Sequence, residues 1–126
     1  MKYKKIDWNK LEEYVQTLAD KIQKDSAKQP VTGVYGPPRG GLVPAVMLSH
    51  KLNVPLLLAP CEGCIVVDDI ADTGVTLQHF AEKGYRIAVI WYKPCSKVVP
   101  NYYAVKSTRK TFGGAWIVFP WETTPN

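Results

Sequence analysis

An α/β fold with a mostly parallel central sheet flanked by helices is predicted by three observations. Short apolar, largely β-branched runs at residues 31–35, 54–59, 64–67 and 85–92 alternate with helix-period patterns at 7–25, 42–52 and 75–83. That is the order a parallel sheet with crossover helices requires. Two connections, Gly36-Pro37-Pro38-Arg39-Gly40-Gly41 and Asp72-Thr73-Gly74, lead from a strand into a helix, and such units present backbone N–H groups to anions. The run Cys64-Ile65-Val66-Val67 ends on two adjacent acids, Asp68 and Asp69, and the C-terminal edge of parallel strands is where open α/β sheets bind ligands.

The elements follow in order. Leu11, Tyr14, Val15, Leu18, Ala19 and Ile22 make one apolar stripe with helical spacing, so residues 7–25 form an amphipathic helix that Asp7 can cap and the polar 25–30 segment ends. Val31–Tyr35 reads as a strand, and the helix from 42 to 52 accommodates Pro44 in its first turn. Val54–Ala59 reads as a strand, with Pro55 at its start marking either an edge strand or an entry residue. Pro60-Cys61-Glu62-Gly63 then forms only a tight turn before the acid-bearing strand. Residues 75–83 fit a helix closed by Gly84. Tyr85–Tyr92 is a buried strand that ends at Lys93-Pro94, placing Lys93 on the same sheet edge as Arg39 and Asp72. Tyr102–Val105 reads as a short strand. The aromatic stretch Trp116-Ile117-Val118-Phe119-Pro120-Trp121-Glu122 closes the chain, and on pattern alone it is core packing.

With 126 residues, the chain is one domain spanning 1–126. No run of 18 apolar residues occurs, so no membrane partner is expected, and no apolar stretch follows the basic Met1–Lys5 start as in a secretory signal; a cytoplasmic protein is expected. The net charge of +5 favours anionic partners. Lys106, Arg109 and Lys110 form the densest late basic cluster and read as a solvated loop, so nucleic acid is not the expected partner. Three cysteines are present. Cys61-Glu62-Gly63-Cys64 lacks the second pair a zinc site would need and precedes a strand rather than a helix N-terminus, which leaves reduced thiols framing a turn. His50 and His79 lie within helical patterns.

The stretch Val66-Val67-Asp68-Asp69-Ile70-Ala71-Asp72-Thr73-Gly74-Val75-Thr76-Leu77 resembles the phosphoribosyl-pyrophosphate (PRPP) signature of the type I phosphoribosyltransferases. Two further segments are similar in the same order: the Arg39-Gly40-Gly41 turn resembles that family's pyrophosphate loop, and Lys93-Pro94 followed by Trp116-Ile117 and Pro120-Trp121-Glu122 resembles its 6-oxopurine branch (xanthine-guanine and hypoxanthine-guanine enzymes). The resemblance implies a type I fold with a small C-terminal hood at about residues 100–122. It also implies purine phosphoribosyl transfer from PRPP with release of pyrophosphate, Mg²⁺ as cofactor, and a homodimer or homotetramer.

Carried residue by residue, the resemblance places Asp68 and Asp69 on the ribose hydroxyls, with Asp69 also toward Mg²⁺. Asp72, Thr73, Gly74, Val75 and Thr76 would hold the 5′-phosphate end. Arg39 and Gly40 would hold pyrophosphate, with a cis peptide at Pro38–Arg39. Asp72 would serve as general base at purine N7, and Arg39 would stabilise the leaving group. Lys93 would donate to the purine 6-oxo group, which disfavours adenine; Trp116 would stack on the base, and the Ile117 carbonyl would accept from it. Trp121 reads as structural and Glu122 carries no assigned role. One departure matters: the family carries a long flexible loop where this chain has the turn at 60–63. That shortening supports an alternative, a PRPP- or nucleotide-binding regulator on the same scaffold, with RNA contact through its basic surface.

Overall fold

The computed structural model describes residues 3–107 and 115–123; Arg109 and Lys110 of the basic cluster lie outside them. The elements run β1 (Tyr3–Lys5), α1 (Trp8–Asp25), β2 (Val34–Tyr35), α2 (Leu42–Leu52), β3 (Ile65–Ala71), α3 (Val75–Glu82), β4 (Arg86–Tyr92), β5 (Tyr102–Lys106) and β6 (Trp116–Val118). The main sheet has the order β2-β3-β4-β5 with every neighbour parallel. A separate parallel pair joins β1 to β6, with Tyr3 opposite Trp116 and Lys5 opposite Val118.

Period-two alternation along the strands explains why the runs read as continuously apolar. Ile65 and Val67 of β3, with Ala88 and Ile90 of β4, face the core under α1 and α2. Val66, Ile87 and Val89 face a second core that takes Leu77 from α3. The predicted stripe of α1 is buried at Leu11, Val15, Leu18, Ala19 and Ile22. Asp7 caps the helix, its Oδ1 accepting from Lys10 N at 2.7 Å. Trp91, buried against β5, donates from its indole to Ser107 Oγ.

Three expectations change. The strand at 54–59 reduces to a single bridge, Leu56 with Val34, held by Val34 N to Pro55 O at 2.9 Å and Leu57 N to Val34 O at 2.8 Å. The segment is pinned between prolines 55 and 60 outside edge strand β2, and Leu58 is 97% exposed. The strand at 31–35 shortens to Val34–Tyr35. Strand β1 was not anticipated: Tyr3-Lys4-Lys5 has no apolar alternation, and its partner lies at the far end of the chain.

The 60–63 segment is a tight turn, with Cys64 N bonded to Cys61 O at 3.1 Å. It lies at the N-terminal edge of the sheet, where Gly63 O accepts from Thr32 N at 3.1 Å and from Arg86 Nη2 at 3.0 Å. The acids stand at the opposite end of β3. All three cysteines are free thiols.

Candidate functional site

Strand β3 continues through the acid pair to Ala71, so Asp68 and Asp69 sit inside its last turn of pleat rather than beyond it. Their carboxylates take over backbone donors there: Asp69 N donates to Asp68 Oδ1 at 2.9 Å and Ile70 N to Asp69 Oδ1 at 2.8 Å. Each side chain is thereby fixed by its own strand. Burial, and then the neighbouring Asp69 charge, push the Asp68 carboxyl up to about 8. Burial also raises Asp69, and the Glu122 charge adds to the rise. Among the described residues neither carboxylate has a cationic side chain within 4.0 Å. The pair is a half-buried, uncompensated anionic site, the chemistry that accepts hydroxyl donors or a hard cation.

Across from the acids, the 36–41 turn lies between β2 and α2. The Pro38–Arg39 peptide is cis, as expected, and Arg39 is exposed. Gly40 approaches Asp69 so closely that a Cβ there would lie 2.5 Å from Oδ2; only glycine leaves both groups in place. The 72–76 turn follows β3. Gly74 stands at the N-cap of α3 with φ 81°, and a Cβ on it would meet Ser96 Oγ at 2.5 Å. The 96–98 segment therefore backs this turn, and Lys97 N bonds Thr73 O at 2.9 Å.

Two adjoining cavities open on this edge. The larger, about 600 Å³, is lined by Pro37, Pro38, Arg39, Gly40, Asp68, Asp69, Thr76 and the C-terminal residues Trp121, Glu122 and Thr123. The smaller, about 140 Å³, is lined by Asp69, Ile70, Asp72, Lys93, Trp116, Ile117, Phe119 and Glu122. Lys93 leaves the end of β4 with its backbone N bonded to Ala71 O at 2.9 Å. Its Nζ lies 3.7 Å from Asp72 Oδ2 and donates to Ala115 O at 3.3 Å. Trp116 is half exposed, offering a ring face, while Ile117 is buried.

The structure thus brings Arg39, Gly40, Asp68, Asp69 and Thr76 to one cavity and Asp72, Lys93, Trp116 and Ile117 to the other. Thr73, Gly74 and Val75 line neither of these two cavities and form the turn at the start of α3, with Thr73 and Val75 exposed and Gly74 buried against the 96–98 segment. Sequence reasoning missed how the last turn contributes. Glu122, left without a role, belongs to both cavities, as does Asp69, and its Oε1 accepts from Phe119 N at 2.8 Å. Trp121, read as structural, walls the larger cavity while stacking on Phe119 at 5.1 Å. The Pro-Trp-Glu run after Trp116-Ile117 was the available signal.

A family model described as "Phosphoribosyl transferase domain" matches residues 60–126. The chain is similar to the crystal structure of a purine phosphoribosyltransferase from Pyrococcus horikoshii Ot3, with 31% identity and a TM-score of 0.80 over 100% of this chain and 97% of that one. It is also 24% identical to a xanthine-guanine phosphoribosyltransferase of Gluconobacter oxydans, over 98% of this chain and 86% of that protein. A hypothetical protein from Neisseria gonorrhoeae, solved with bound ppGpp, shares the fold at 21% identity, with a TM-score of 0.74 over 98% of this chain and 91% of that one.

Proposed function

The chain belongs to the phosphoribosyl transferase domain family and is a phosphoribosyltransferase of its purine branch; from that premise we propose that it transfers the 5-phosphoribosyl group of PRPP to a 6-oxopurine, with the two cavities holding the two substrates. The observation that carries this reading is the pair of adjoining cavities sharing Asp69 and Glu122. A phosphorylated sugar in the larger one would meet a base in the smaller one at the acids.

The purine edge fits the smaller cavity chemically. A 6-oxopurine offers an acceptor at O6 beside a donor at N7–H. Lys93 Nζ and Asp72 Oδ2, 3.7 Å apart on the cavity wall, match that order, and Trp116 supplies a stacking face. In the proposed reaction a ring nitrogen attacks C1 of the ribose and the C1–O bond to pyrophosphate breaks. Asp72 takes the N7 proton as electron density moves to the attacking nitrogen. Arg39 holds the departing pyrophosphate through its fork of donors, Asp68 and Asp69 hold the ribose hydroxyls, and the 5′-phosphate extends past Thr76 at the cavity's margin onto the turn at 73–76. Positioning and charge neutralisation carry most of the acceleration.

Mg²⁺ fits the acid pair on the donor chemistry. Among the described residues, the two half-buried carboxylates that line the larger cavity have no cationic side chain within 4.0 Å, and no cluster of three or more His, Cys, Asp or Glu forms an all-protein cage. That matches an ion held by one or two carboxylates plus substrate oxygens, with Asp69 its protein contact. When bound it would neutralise charge on the pyrophosphate.

Incubating the protein with PRPP, Mg²⁺ and guanine, hypoxanthine or xanthine should yield the matching nucleoside monophosphate. The competing reading is a nucleotide-binding regulator, favoured by the 60–63 turn lying at the far edge of the sheet. Tight PRPP binding with no nucleotide from any base would establish the regulator and overturn the enzyme. Replacing Lys93 with Ala is expected to lower kcat/KM for 6-oxopurines about 10- to 10²-fold, the worth of a charge-assisted hydrogen bond. Discrimination against adenine should narrow in step, as measured by competing the two bases. Gly40→Ala drives a methyl into the Asp69 carboxylate. It should cut kcat/KM about 10²-fold through misplacement alone, with the melting temperature as the control for folding.

A further inference from the structure

The larger cavity has a wall whose support lies outside it. That wall is the turn after β6, where Glu122 N returns to Phe119 O at 2.9 Å and Trp121 and Glu122 line the same cavity as Arg39 and Gly40. Two tethers hold it. One is backbone: β1 pairs with β6 through Lys5 and Val118, and Ile6 N bonds Val118 O at 2.9 Å. The other is a row of three rings. Phe119 and Trp121 stack at 5.1 Å and 13°, and Trp8 stands 6.3 Å from Trp121 at 50°. Trp8 opens α1 directly after Ile6 and Asp7, so both tethers come from the same stretch of chain. Trp8 is 54% exposed and absent from the buried core, and it lines neither cavity. Its role as a large aromatic there is unaccounted for by burial.

We infer that Trp8 is a positioning residue: it braces Trp121 from outside and so fixes the wall that faces the pyrophosphate loop. The inference rests on reading the larger cavity as the PRPP site. The 60–63 turn is at the opposite edge of the sheet, and among the described residues this C-terminal turn supplies Trp121, Glu122 and Thr123 to the cavity that Arg39 and Gly40 line. A tilted aromatic pair gives a modest, specific bias toward one ring position. Without it, Trp121 keeps its Phe119 stack but loses its outer stop, and the Trp121–Thr123 wall relaxes away from Arg39.

The test is PRPP binding, with Mg²⁺ present, by calorimetry on the intact chain and its Trp8→Ala and Trp8→Phe variants, beside steady-state rates and thermal melts. Because Trp8 is half exposed, Trp8→Ala is expected to fold. It should raise the PRPP Kd and KM about two- to tenfold, leave kcat within about twofold, and shift the purine KM less than the PRPP KM. Trp8→Phe should restore PRPP affinity. A lowered melting temperature with wild-type PRPP affinity would show a purely structural residue and overturn the inference. If the wild type binds PRPP but forms no nucleotide, the transfer reading falls while calorimetry still decides the role of Trp8. If it binds no PRPP, both fall.

Discussion

Asp72→Asn is expected to lower kcat for nucleotide formation about 10²- to 10⁴-fold, the usual contribution of a positioned general base, while PRPP affinity stays within about twofold. The substitution separates proton transfer from everything else this residue does. Asp72 follows the last residue of β3, and its side chain is 52% exposed. Its place in the fold is set by its backbone, whose carbonyl accepts from Cys95 Sγ at 3.5 Å. Asparagine keeps the size and one acceptor oxygen for Lys93, and Lys93 retains Ala115 O at 3.3 Å. With Asp72 52% and Lys93 15% exposed, the pair contributes on the order of 1 kcal/mol to stability, so the variant should melt slightly below the wild type. What asparagine cannot do is take the N7 proton. Initial rates with each 6-oxopurine, set beside calorimetric PRPP binding, make the measurement. A variant turning over at the wild-type rate would remove Asp72 from the chemistry.

Much of this was legible in the sequence because the site residues sit at strand ends and tight turns, where local chemistry is strongest. The run into Asp68 and Asp69 predicted a two-sided buried strand, and the alternation of Val66 and Val67 between two cores bears that out. Gly36-Pro37-Pro38-Arg39-Gly40-Gly41 predicted a tight strand-to-helix turn on the ligand-binding edge of the sheet, and the structure adds that its Gly40 abuts Asp69. The segments that escaped were those whose conformation is set by distant partners. Tyr3–Lys5 becomes a strand because β6 lies beside it, and residues 54–59, bracketed by Pro55 and Pro60, hold to β2 through the single Leu56–Val34 bridge. Glu122 gained its position between the cavities from the fold of the last turn, where Phe119 N holds its carboxylate; no spacing rule places a residue in two cavities at once.

The acid pair sets the largest expected effect on stability. Asp68 is raised from 3.8 to about 8 by burial first and the Asp69 charge second. Below about pH 4 the group is protonated in both folded and unfolded chains, so it exerts no pH-dependent cost. Between about pH 4 and 8 the unfolded chain has released the proton and the folded chain retains it, so stability falls as pH rises, by up to about 1.4 kcal/mol per pH unit for one proton. Above about pH 8 both states are ionised and the slope from this group ends. Denaturant titrations of the ligand-free protein from pH 4.5 to 8.5, compared with Asp68→Asn, isolate the effect: the variant should lose the slope and be the more stable of the two at pH 8. Equal slopes would show that Asp68 is ionised at neutral pH without cost. Ligand binding should respond with the opposite sign. Mg²⁺ and PRPP call for the ionised pair, so their uptake below pH 8 should release a proton. That release is measurable by calorimetry in two buffers of different ionisation enthalpy, and PRPP affinity should rise over the same pH window in which the empty protein weakens. The carboxylates that destabilise the empty site are the groups the proposed ligands neutralise, so the same two residues link folding, proton release and substrate binding.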